Sequence, residues 1–288
     1  YLCVFSISIS IITVVAGKIV FTKTHSDLIL DTDSEYSRIW VTNLKSSDRN
    51  YKVMQVDTGI ESWTDVTKNE LSAEYLKFYD LFEYYNKSTQ NTLMIGGAAY
   101  TYPMYYLNKY KDKKIDVVEI DEKMTQIAEK EFGLNLNEPR IKVYTQDGRS
   151  FLNQSKNKYD TILIDAFKGL NAPFELTTYE ALQNAKNLLN DNGIVLTNII
   201  SGITGKNAKF LEHEYATYKK VFDDVKVFKV KSKKTPEEKQ NLILLGIKGS
   251  PDIDESKYQE YSKRITSEII NYNSNSRIAT DDFAPIGK

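Results

Sequence analysis

Apolar and polar positions follow three successive rhythms along the 288 residues. The chain opens on YLCVFSISISIITVVAG, which holds no charge before Lys18. Its length reaches the lower limit for crossing a bilayer as a helix. Alternation of Ser with Ile and Val in the same run is β-like, so a buried strand is the competing element. Length and lack of charge favour the end of a transmembrane helix over 1–21, making the protein membrane-associated through this segment. Lys18 and Lys23 then place the soluble part in the cytoplasm.

From 26 to 57 the rhythm shortens to SDLILDT, EYSRIWVTN and YKVMQVD, separated by polar turns such as Ser46–Asn50. This predicts a small antiparallel β unit. Residues 68–86 then carry Leu71, Tyr75, Phe78 and Phe82 at helical spacing, widened by Leu81 and Tyr85. A first unit over 22–87 therefore comprises β-hairpins and an entry helix.

After Ser88 strand-like and helix-like stretches alternate, defining a second unit over 88–288. TLMIG (92–96), IDVVEI (115–120), IKVYT (141–145), YDTILIDA (159–166) and GIVLTNII (193–200) are short, apolar and rich in Ile and Val. Parallel strands covered on both faces have that composition. Helices are expected over 103–112, 122–132, 149–155, 177–190 and 206–222. The last two strand-like runs, 225–231 and 241–248, are joined by a polar link broken by Pro236, too short for a crossover between parallel neighbours. They form an antiparallel hairpin. Five parallel strands closed by such a pair make an α/β, Rossmann-like seven-strand sheet of the S-adenosylmethionine methyltransferase type.

Charge and composition narrow the chemistry. A net charge of −1 from 38 basic and 39 acidic residues gives no nucleic-acid footprint. One cysteine, Cys3, and two histidines, His25 and His213, argue against a disulfide framework, a metal centre and a Ser-His-Asp triad. The reaction then rests on carboxylates, hydroxyls, backbone and a bound small molecule.

Ligands of open α/β sheets bind at the carboxyl ends of the strands, where the strand order reverses. Four such ends carry candidates. Gly96-Gly97 lets a ligand approach the backbone. Glu119 lies 22 residues beyond Gly97, the spacing of an acid that accepts from ribose hydroxyls. Asp147-Gly148 can accept from an adenine amino group, and Asp165 can face the reacting atoms. Each has a bland alternative: a tight turn for the glycines, helix caps for Glu119, Asp121 and Asp147, a solvated turn for Asp165. The loop Gly96, Gly97, Ala98, Ala99, Tyr100, Thr101 lacks the G-x-G-x-x-G that a pyrophosphate requires. An adenosyl thioether or sulfonium fits better than a dinucleotide.

The order LMIGGAAYTYP, DVVEIDEKM, PRIKVYTQDGRSFL, KYDTILIDAF resembles the polyamine aminopropyltransferases, the spermidine and spermine synthases. VDTGIESW and AEYLKFYDL resemble that family's hairpin and entry helix, and TDDFAP (280–285) is similar to the ending of its membrane-associated branch. The resemblance implies an aminopropyl transfer from decarboxylated S-adenosylmethionine to a polyamine, with no metal and no nucleic acid. It implies catalytic roles for Asp165 and Tyr75, and donor binding by Gly96, Gly97, Glu119, Asp147 and Gly148.

Three positions depart from the family pattern. Ala99 replaces the loop aspartate, Lys168 replaces the second aspartate of D-x-x-D-P, and Glu61 stands for a glutamine. Glu61 and Asp282, with Asp281 beside it, are the candidates for restoring acidity on the acceptor side. Loss of the Ala99 carboxylate also opens the donor site to S-adenosylmethionine itself. A methyltransferase and a noncatalytic nucleoside-sensing domain therefore stand as alternatives, and a homodimer is an open expectation.

Overall fold

The computed structural model describes residues 10–15, 18–23, 26–45, 49–57, 59–65, 70–167, 172–231 and 233–283, with the side chains of 10–26, 60 and 61 left out. The chain divides into two compact units, 1–72 and 73–288.

In the first unit, β1 (Ser10–Val15) and β2 (Lys18–Lys23) pair antiparallel. Where the end of a transmembrane helix was expected over 1–21, the described part is thus a hairpin. The alternation of β-branched Ile, Thr and Val wins over the apolar run length, because such side chains suit a pleat better than a helix. Residues 1–9 of that run lie outside the described residues, among which no helix is long and apolar enough to cross a membrane. Then β3 (Ser26–Asp33), β4 (Arg38–Lys45), β5 (Asn50–Val56) and β6 (Gly59–Asp65) form a four-stranded antiparallel meander. Ile39, Val41 and Met54 are its fully buried residues.

The second unit begins with the entry segment, a 3-10 run over Glu74–Leu81 that passes into the short α1 (Phe82–Tyr85). It was expected to belong with the hairpins. Its aromatic face instead packs within the second unit, with Phe78 and Tyr85 each near Phe228 and Phe82 against Tyr106 and Tyr110. The alternating part follows as β7 (Asn91–Ile95), α2 (Thr101–Lys109), β8 (Lys114–Glu119), α3 (Glu122–Ile127), β9 (Ile141–Thr145), α4 (Gly148–Gln154), β10 (Tyr159–Ile164), α5 (Tyr179–Leu188) and β11 (Leu189–Ser201). Then come α6 (Lys209–Val221), β12 (Asp224–Lys229), β13 (Gln240–Ile247) and a last helix α7 (Tyr258–Ile265).

Seven strands pair in the order β12-β13-β11-β10-β7-β8-β9. The five from β11 to β9 are parallel, and β13 runs antiparallel to both of its neighbours, as the short link with Pro236 requires. Chain order reverses between β7 and β10, so the tips of these two strands flank the crevice where ligands bind in such sheets. Leu93, Ile95, Ile162, Ile164, Val195 and Leu244 belong to the core cluster of this sheet.

A polar knot anchors the entry segment. Asp80 accepts from Tyr102 Oη, Tyr105 Oη and Lys109 Nζ at 3.1, 2.7 and 2.9 Å. Glu83 accepts from Tyr110 and Tyr261 and pairs with Lys109 Nζ at 2.9 Å and Lys257 Nζ at 3.2 Å. Burial alone would raise the Glu83 carboxyl, but the two phenols and Lys109 hold it down at about 2. A depressed acid stabilises the fold above its unfolded pKa and loses that contribution as pH falls. Stability should therefore drop between about pH 4.3 and pH 2, by about 3 kcal/mol from this group. Lys109→Met, which strips both carboxylates of their shared cation, should cost about 3 kcal/mol in urea unfolding at pH 7. A loss below about 0.5 kcal/mol would contradict the anchoring role of this knot.

Candidate active site

Four strand tips are chained edge to edge by backbone hydrogen bonds. Gln146 N donates to Glu119 O at 3.1 Å, Gly96 N to Val118 O at 2.9 Å and Asp165 N to Ile95 O at 2.9 Å. The sequence candidates Gly96, Glu119, Asp147 and Asp165 thus hang on one continuous rim. At its centre the tips of β7 and β10 come close enough to demand glycine. A Cβ on Gly96 would stand 2.3 Å from Asp165 O, and the residue sits at φ +95°. Gly97 is also required, because a Cβ there would meet the Tyr100 ring at 2.8 Å.

Beyond Gly96 the loop places Ala98 and Tyr100 at positive φ, 44° and 55°. Non-glycine residues adopt this region at a cost that must be met elsewhere. Glu119 meets it. Its Oε2 accepts from Gly97 N at 2.7 Å and Ala98 N at 3.0 Å, while Oε1 accepts from Asp121 N at 3.0 Å. Burial raises the Glu119 pKa, and these three N–H donors oppose the rise. A carboxylate offers about four acceptor sites, so three bonds leave Glu119 capacity for one more.

Asp147 caps α4, its Oδ1 accepting from Ser150 N at 2.7 Å. The structural alternative is therefore real, yet the residue is exposed and keeps acceptor capacity for an amino group. Gly148 lets α4 approach β7: a Cβ there would lie 2.6 Å from an Ile95 methyl. Asp121 caps α3 through Lys123 N at 2.9 Å.

Asp165 is partly buried at the tip of β10. Asn198 Nδ2 donates to its Oδ1 at 3.1 Å, and Asn241 Nδ2 donates in turn to Asn198 Oδ1 at 3.1 Å. Burial pushes Asp165 up to about 6, against the pull of Asn198, Tyr75 and Tyr79. An acid so poised changes charge near neutral pH, as proton-transfer groups do.

The acceptor-side expectations divide. Ala99 is fully buried, a methyl group where the family resemblance expects a carboxylate. Asp281 pairs with Arg149 Nη2 at 2.6 Å and accepts from Thr178 Oγ1 at 2.7 Å, tying the C-terminal turn to α4 and α5. Asp282 lies exposed in that turn. Lys168 and the Glu61 side chain lie outside the described residues. Of the loop tyrosines, Tyr106 bonds Thr92 Oγ1 at 2.9 Å and Tyr105 bonds Asp80, so both pack and anchor. Asn198, Asn241 and Tyr79 escape a reading of the sequence, although a polar residue inside each apolar strand run is the signal that marks the two asparagines. Among the described residues no group of carboxylates, histidines and cysteines is arranged to hold a metal ion.

A seven-strand sheet closed by an antiparallel pair, with glycines and carboxylates along one rim, places the chain among spermidine-synthase-like and methyltransferase-like folds. The spermine/spermidine synthase domain matches residues 80–249, and the chain belongs to this family. A polyamine aminopropyltransferase of Vibrio vulnificus is 30% identical over 221 residues, covering 70% of each chain. A probable polyamine aminopropyl transferase of Bifidobacterium longum is 30% identical over 180 residues, of which this chain spans 39% of the length. Among solved structures, a probable spermidine synthase of Corynebacterium glutamicum shares the fold at a TM-score of 0.68 and 19% identity, over 88% of this chain and 97% of that one. Spermidine synthase in complex with the transition-state analogue AdoDATO has a TM-score of 0.65 at 17% identity, over 90% and 83%.

Glu119→Gln tests the rim. The amide keeps the volume but turns an NH2 toward backbone N–H groups. Binding of 5′-methylthioadenosine, read by calorimetry, should weaken about 10- to 100-fold. Unchanged affinity would remove Glu119 from the nucleoside site.

Proposed function

We propose that this chain transfers an aminopropyl group from decarboxylated S-adenosylmethionine to an amine acceptor, with both as substrates. The observation that carries the reading is Asp165: a carboxylate raised to about 6, set at the strand crossing beside Gly96 and faced by Tyr75. Family membership and the aminopropyltransferase names of the relatives support it.

The chemistry follows from charge. A free alkylamine has a pKa of about 10.4 and attacks only when neutral. Burial disfavours charge on both partners, raising the carboxyl and lowering the ammonium, which narrows the gap between them. Asp165 holds the incoming ammonium and takes its proton. The amine lone pair then bonds to the carbon beside the sulfonium, the C–S pair stays on sulfur, and neutral methylthioadenosine leaves. Glu119 and Asp147 would hold ribose and adenine so that amine and carbon meet at attack distance.

Methyl transfer from S-adenosylmethionine is the second reading. Ala99 favours it, because a methyl group there does not repel the carboxylate of that donor. A human methyltransferase-like protein in complex with SAH shares the fold at a TM-score of 0.51 and 20% identity.

Incubation with decarboxylated S-adenosylmethionine and putrescine should yield spermidine and methylthioadenosine by mass spectrometry. S-adenosylhomocysteine formed from S-adenosylmethionine would instead select the second reading. The acid limb of kcat/KM should fall near pH 6, with activity present above it, where Asp165 is ionised. Asp165→Asn should lower kcat by about 10²- to 10⁴-fold; full turnover by that variant would sink the assignment.

A further inference from the structure

Asp165 belongs to a row of polar side chains laid across three strands. Ile164 pairs with Thr197 on the parallel β10–β11 ladder, so the next residues along, Asp165 and Asn198, are neighbours too. Ile200 pairs with Asn241 on the antiparallel β11–β13 ladder, which sets Asn241 on the same face as Asn198, two residues further along. The three are bonded in sequence. Asn241 Nδ2 donates to Asn198 Oδ1 at 3.1 Å, and Asn198 Nδ2 donates to Asp165 Oδ1 at 3.1 Å. Asn198 is buried within the strand run GIVLTNII, where a leucine would pack with no hydrogen bonds to satisfy.

We propose that Asn198, backed by Asn241, is a positioning residue for Asp165: the amide row fixes the carboxylate in the orientation from which it takes the proton of the attacking amine. The inference rests on the reading of Asp165 as proton acceptor and adds to it two residues that the resemblance did not supply.

Charge sets the direction of the row. An ionised carboxylate only accepts, so the amide bonded to it must present its NH2. Asn198 then turns its oxygen toward β13, where Asn241 answers with an NH2 of its own. Each amide is thereby held in one of its two flips, and Asn241 acts on Asp165 only through Asn198. The last torsion of an aspartate side chain is otherwise broad. With Oδ1 held, the Asp165 carboxyl group no longer turns freely, so the place of its other oxygen is fixed as well. An amide does not ionise in the working range, and the bond therefore persists while Asp165 titrates. Asn198 favours the charged form of Asp165, as do Tyr75 and Tyr79 of the entry segment, and burial opposes all three.

Asn198→Leu and Asn241→Leu in the full chain, singly and together, test the row. Asn198→Leu removes the donor, so the Asp165 pKa should rise by about one unit, read by carboxyl carbon NMR without ligand. Its kcat should fall about 10- to 100-fold while the affinity for methylthioadenosine holds. Asn241→Leu should move both readings the same way by a smaller amount. In the double variant Asn241→Leu should add nothing to Asn198→Leu, because the outer amide acts through the inner one. A packing role alone would leave the titration in place. An Asp165 titration unmoved in Asn198→Leu, or in Asn241→Leu should the first variant not fold, overturns the proposal. So does a double variant whose effects on the titration simply add. A titration that moves as expected while the wild type forms no methylthioadenosine leaves the Asn198–Asp165 coupling standing and removes the transferase reading instead.

Discussion

The carboxylate of Glu119 is the point on which the site is built. It gathers the amides of Gly97, Ala98 and Asp121, and through its backbone oxygen it receives Gln146 N, just ahead of Asp147. Without it, a loop holding Ala98 and Tyr100 at positive φ would lose two of the amide hydrogen bonds that offset its strain. The loop conformation in turn decides where Gly96 passes over Asp165 O, and so where the backbone of Asp165 stands. One buried acid thus sets the shape of the loop and, two strands away, the setting of Asp165.

The opposite wall follows another logic. It is made of tyrosines rather than carboxylates: Tyr75 and Tyr79 pull the Asp165 pKa down, and Tyr102 and Tyr105 are bonded to Asp80. The acids of this wall are spent on anchoring, since Asp80 and Glu83 share Lys109. Asp165 is then left as an acid tuned by neutral donors, which keeps its pKa near the range where it can exchange a proton. Ala99, a buried methyl on the rim, likewise adds no carboxylate beside Asp165.

Much of this was legible in the sequence because the sheet announces itself. Runs such as TLMIG and YDTILIDA are apolar on both faces, and their tips are where polar residues reappear, so Gly96, Glu119, Asp147 and Asp165 could be found without coordinates. The antiparallel closure was legible from the length of the link around Pro236. Other parts were hidden for physical reasons. In SIITVV and KIVFTK, hairpin pairing satisfies the backbone of an apolar run that reads equally as helix. The entry segment has helical spacing but winds as 3-10, and its unit is decided by aromatic packing onto Phe228, a partner about 150 residues away. Helix α7 buries mainly Tyr261 and so carries almost no apolar stripe. Tyr79 looked like one more core aromatic; only its stranded hydroxyl sets it apart.

The claim at the centre is that Glu119 and the strand tips around it form an adenosyl site. Amide resonances give the most direct test. With 5′-methylthioadenosine added to the 15N-labelled chain, the amides of Gly97, Ala98, Asp121 and Gly148 should shift together and saturate with a single affinity. Those of Tyr261 and Arg264 on α7 should stay in place. Shifts absent from the four rim amides at saturating nucleoside, or confined to residues away from them, would contradict the account.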